Sequence, residues 1–132
     1  MQNKNNHMNK LKLLQTILIL NALYFFIAAI AHFFGLTIFP MYDKNLYSPY
    51  HDTLLALCDL IFVMIFLTIT KDPKKNKDIL NTIIAAFILV IIFNLSIIWK
   101  IEITHLKIIQ TIVETIGVVI TLILLVILKP KN

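Results

Sequence analysis

Residues 79–99 read ILNTIIAAFILVIIFNLSIIW, 21 positions without a charged side chain. The run does not alternate apolar and polar residues, as a strand of a membrane barrel does. At about 1.5 Å per residue it is long enough to cross the roughly 30 Å hydrocarbon layer of a bilayer as a helix. Three more runs flank it, at 13–34, 53–70 and 108–128, with 22, 18 and 21 residues. In lipid, only helices and closed barrels satisfy every backbone N–H and C=O. The sequence therefore predicts an all-α integral membrane protein. Residues 1–132 are read as a single four-transmembrane-helix bundle.

Composition agrees with this reading. The 132 residues are 59% hydrophobic and 14% charged, against about 45–50% and 25% in soluble domains. A chain this small cannot hide so much apolar surface from water. The lipid bilayer is its first partner, and a soluble enzyme is excluded. Every basic side chain is Lys, 12 of them, against seven Asp and Glu. Nucleic-acid readers rely on the planar fork of Arg, so no nucleic-acid partner is expected. The lone Cys58 excludes an internal disulfide, a CxxC redox pair and a cysteine zinc cluster. Abundant Ile, Asn and Lys reflect an AT-rich, bacterial genome.

Lysine placement predicts orientation. Nine lysines (4, 10, 12, 71, 74, 75, 77, 129, 131) fall on one side of the four runs and three (44, 100, 107) on the other. Positive charge stays inside, so both termini are expected in the cytoplasm of a cell whose inner membrane holds the bundle. Topology also accounts for the basic charge, although the lysines at 71–77 could touch anionic lipid heads. A second reading takes residues 1–31 as a cleaved signal peptide, with Ala29-Ile30-Ala31 as its site. The apolar stretch continues past that point and exceeds the usual signal core, which favours four spans.

Local chemistry marks the helix ends. Ser48-Pro49 is an N-cap followed by Pro at the first helical position. Asp72-Pro73 offers the same start for the third helix, and Pro130 closes the fourth. Tyr42, Tyr47, Tyr50 and Trp99 fall at interfacial positions. The segment 35–52 holds two prolines and four aromatics. Aromatics in a loop need a surface to pack on, so an ordered aromatic outer loop is expected to cap the bundle.

The candidate functional residues are those that lipid does not tolerate. Asp59 and Glu114 each lie six positions past the outer end of their run, about 9 Å deep. Asn94 and His32 lie in the same outer half. A charged side chain at mid-membrane costs a few kcal/mol on insertion scales, so both acids should face protein or a wet cavity. Asp59, Glu114, His32 and Asn94 form the expected buried polar, ligand or proton site, with His51, Asp52, His105 and Gln110 at its outer mouth. Asp52 is also explained by the positive end of the second helix. Three/four spacing aligns Asn21, Phe25, Ala28, His32 and Gly35, then Asp52, Ala56, Asp59 and Val63, then Lys107, Gln110, Glu114, Gly117 and Thr121.

Three functions are compatible with that set. The first is a small membrane protein of accessory or structural type, supported by the lack of a nucleotide or nucleophile motif, which also argues against an enzyme. The second is a proton- or ion-coupled small-solute carrier, in which Asp59 and Glu114 share a proton. The third is a membrane enzyme with a His/carboxylate metal site, although no H-E-x-x-H or other ligand spacing is present. A bis-histidine haem needs two buried His on facing helices, and only His32 qualifies. No GxxxG pair specifies a dimer, and a homo-oligomer or a membrane-protein partner both stay open.

Overall fold

In the computed structural model, residues 2–38, 42, 47–100 and 105–130 are described, with side chains over 8–38, 42, 47–96 and 108–130. Four helices follow one another: α1 (Gln2–Phe34), α2 (Pro49–Lys71), α3 (Lys77–Lys100) and α4 (His105–Leu128). Each contains a stretch long and apolar enough to cross a membrane: Met8–Phe34, Pro49–Lys71, Lys77–Ser96 and Ile108–Leu128. The fold class read from the sequence, an all-α four-helix bundle, is the one observed. The first two spans extend beyond their apolar runs because polar flanks such as Lys10, Ser48 and Asp52 continue the same backbone helix or cap it.

The helix ends have identifiable causes. α1 stops at Gly35, whose φ of 61° is left-handed. Leu36 N–H donates to Ala31 O (2.9 Å) and Gly35 N–H to His32 O (3.4 Å), the paired bonds of a Schellman C-cap. α2 opens on Ser48 and Pro49, as the sequence predicts. Ser48 Oγ, however, makes no cap bond to the helix backbone. Instead the Asp52 carboxylate reaches back to accept the Ser48 N–H.

The start of the third helix differs from expectation. α3 begins at Lys77, not at Pro73. Asp72 Oδ1 does cap, accepting the N–H groups of Lys74 and Lys75 at 3.1 Å each, but what it caps is a separate turn. Asn76 fixes that turn by donating from Nδ2 to Thr68 O (3.1 Å) and Asp72 O (3.0 Å). Residue types that cap a helix also cap a single turn, so the sequence signal could not separate the two.

The helices form a ring. α1 packs most extensively on α2, α3 on α4, and α1 on α4, with slight contact between α2 and α3. The α1–α2 hairpin is pinned at both ends, by Gln15 Nε2 donating to Thr70 O (2.9 Å) and by His32 meeting Asp52. Leu14, Leu18, Phe66, Ile69, Leu80, Ile83, Leu125 and Leu128 belong to the buried core, which Ala22 and Phe87 extend toward mid-span. The first eight lie toward the end of the bundle that carries the termini and the α2–α3 turn. Phe25 stacks on Phe62 (5.0 Å) and Phe66 (5.6 Å), and Phe66 meets Phe87 at 6.2 Å, edging this core on the side of the α1–α2 loop. Large apolar side chains on all four helices face outward, the surface that lipid covers. Ala29 and Ala31 are buried, so these small residues also have a packing role.

Candidate functional site

The polar residues gather in the loop-side half, in separate groups. The first closes the α1–α2 hairpin. Asp52 is 3% exposed, and its Oδ1 takes His32 Nδ1 at 2.7 Å and the Tyr42 hydroxyl at 2.8 Å. Its other oxygen takes the Ser48 N–H. A carboxylate only accepts, so the ring nitrogen facing it carries the proton, and a neutral His32 then keeps its lone pair on Nε2. The Tyr42 ring lies 4.5 Å from that imidazole. Tyr42 is held in place by a two-way backbone bridge to Ile38, 2.8 Å in each direction. Tyr47 packs over Gly35, while Tyr50 is exposed. Phe39, Pro40, Met41 and the segment 43–46 of the expected cap lie outside the described residues.

The second group is a seam between α3 and α4. Asn94 Nδ2 donates to Thr115 Oγ1 (3.2 Å), which in turn donates to Thr111 O (2.6 Å). The third surrounds a cavity of about 260 Å³ between α1, α3 and α4. Tyr24, Phe25 and Phe87 form its aromatic wall, Leu20 and Val118 add apolar surface, and Gly117 leaves room. Asn21, Glu114 and Thr121 are its polar members. Glu114 accepts from Gln110 Nε2, one turn away on the same helix, at 3.2 Å.

Asp59 stands apart, half-buried on the α2 stripe that faces α1. Its Oδ2 is buried and has no hydrogen-bond partner. α2 and α4 are not neighbours in the ring, so Asp59 and Glu114 do not pair across a helix–helix contact.

The sequence-predicted residues are thus distributed. His32 joins Asp52, Asn94 joins Thr115, Gln110 joins Glu114, and His51 is exposed with its Nδ1 3.0 Å from Ser48 Oγ. His105 opens α4, but its side chain lies outside the described residues. Among the described residues no group of three or more His, Cys, Asp or Glu is placed to hold a metal ion. Sequence reasoning missed Tyr24. Its signal was available: an aromatic hydroxyl in mid-span departs from the interfacial belt that tyrosines prefer. The chain matches no known family model, no curated protein and no solved structure.

Proposed function

We infer that this chain is a small multi-pass carrier of the inner, cytoplasmic membrane, coupling a proton or ion to a small solute through Asp59 and Glu114. The observation behind this reading is how the two acids are bonded. Neither is joined to another helix by a hydrogen bond among the described residues, whereas Asn94, Gln15 and Asp52 are. Acids kept for structure should hold helices together. An acid left without such a role inside a membrane is a functional group by default. Four apolar helices are compatible with a small multi-pass membrane protein, and the nine-to-three lysine asymmetry supports a cytoplasmic position for both termini.

The accessory or structural reading is second, favoured by the closed His32–Asp52–Tyr42 group. Purified protein in liposomes under an imposed pH gradient separates the two. A carrier acidifies or alkalises the lumen in a solute-dependent way, and Asp59→Asn or Glu114→Gln abolishes this while the protein melts as wild type. No flux with any solute, together with unfolding of both variants, supports the structural role instead.

A further inference from the structure

The cavity beside Glu114 has a chemistry of its own. We propose that it binds a small organic monocation of the quaternary-ammonium type, through the Glu114 carboxylate and the aromatic rings of Tyr24, Phe25 and Phe87 that line the space; this names the solute class of the carrier read above and rests on that reading.

The three rings and the carboxyl line one space of about 260 Å³. Aromatic faces attract a positive charge within about 6 Å of the ring centroid, most strongly where water is excluded. A single carboxylate supplies the countercharge. An organic cation needs both, since its apolar groups gain from the Leu20 and Val118 surface and its charge needs Glu114. A hydrated metal ion needs several oxygen ligands, and Glu114 is the cavity's single acid. An anion meets no cationic side chain there, and a neutral apolar solute would leave the carboxylate desolvated without compensation. Asn21, the cavity's polar member on α1, donates from Nδ2 to Ile17 O at 2.8 Å on its own helix. Gln110 donates to one oxygen of the carboxyl at 3.2 Å, and Glu114 lines the cavity. Gly117 makes the space: a Cβ built on it meets nothing within 4 Å.

Benzyltrimethylammonium and its uncharged isostere neopentylbenzene probe this directly, by calorimetry on the full chain in nanodiscs. The cation should bind wild type saturably, and Glu114→Gln should weaken it at least about tenfold, a modest share of what a desolvated charge pair supplies. Gly117→Leu, which fills the cavity and leaves every charge in place, should abolish binding with the melting temperature preserved. That variant keeps the test decisive if Glu114→Gln does not fold. Absence of cation binding overturns the proposal, as does equal affinity for the isostere or binding unchanged by Gly117→Leu. The carrier reading fails separately: cation binding without any flux across liposomes removes transport and keeps the site, whereas Glu114-dependent flux of another solute without cation binding removes the site and keeps transport.

Discussion

His32 and Asp52 meet at 2.7 Å, Nδ1 to Oδ1, and this contact joins the last turn of α1 to the first turn of α2. Asp52 serves three donors at once, from an imidazole, a phenol and a backbone amide. Removing the carboxyl therefore strands all three, and Asp52→Ala should cost about 3 kcal/mol of stability. Tyr42→Phe, which removes one neutral donor, should cost about 1 kcal/mol. Reversible unfolding in mixed detergent gives both values. Equal losses for the two variants would show that Asp52 is not the hub.

The two glycines should respond to alanine with opposite signs. Gly35 has φ of 61°, and a Cβ there lies 3.1 Å from the Tyr47 ring. Gly35→Ala should destabilise by about 1–2 kcal/mol from the backbone alone, and Tyr47→Ala in the same chain should relieve only the clash. Gly117 is helical with open space where a methyl would sit, so Gly117→Ala should stabilise by about 0.5–1 kcal/mol. The same unfolding assay reads both signs.

Asp59 and Asn94 offer a second contrast. A buried acceptor without a partner costs about 1–3 kcal/mol, and Asp59 Oδ2 is such an acceptor. Asp59→Leu should raise stability by about 1 kcal/mol while ending any coupled flux, the trade expected of a functional group. Asn94→Leu breaks the bond to Thr115 and should lower stability by about 0.6 kcal/mol. A loss of stability in Asp59→Leu would give that acid a structural role.

Orientation is open to cysteine labelling in a Cys58→Ala background. Lys44→Cys should react with a membrane-impermeant maleimide added to intact cells. Lys75→Cys should react only after the membrane is opened. The reverse pattern would invert the bundle.

Much of this architecture was legible in four apolar runs, because lipid leaves a backbone few choices. Pro49 marked the start of α2 for a similarly local reason. The Asp72-Pro73 pair misled because its capping bonds are real but serve a turn. The partner of His32 depended on two elements at once. His32 lies two residues before the end of α1 and Asp52 three after the start of α2, so any antiparallel hairpin brings them level. Whether they also share a face depends on how the two helices are rotated, which neither sequence stripe contains. The cavity was hidden for the same reason, since α1, α3 and α4 each contribute part of its wall.

The large aliphatic side chains of the core, Leu14, Leu18, Ile69, Leu80, Leu125 and Leu128, lie toward one end of the bundle, and that asymmetry gives the molecule a fulcrum. The interhelical bonds Gln15–Thr70 and His32–Asp52 sit inside the α1–α2 hairpin, and Asn94–Thr115 sits inside the α3–α4 hairpin. Each hairpin is thus a stiff lever. They are clamped together where Leu14, Leu18, Phe66, Leu80 and Leu125 interdigitate. On the far side of the Phe25–Phe62–Phe66 stack, none of the described residues 88–96 or 108–121 is buried. A small splay of the levers about the clamp would widen the space beside Glu114 without breaking a hydrogen bond within either hairpin.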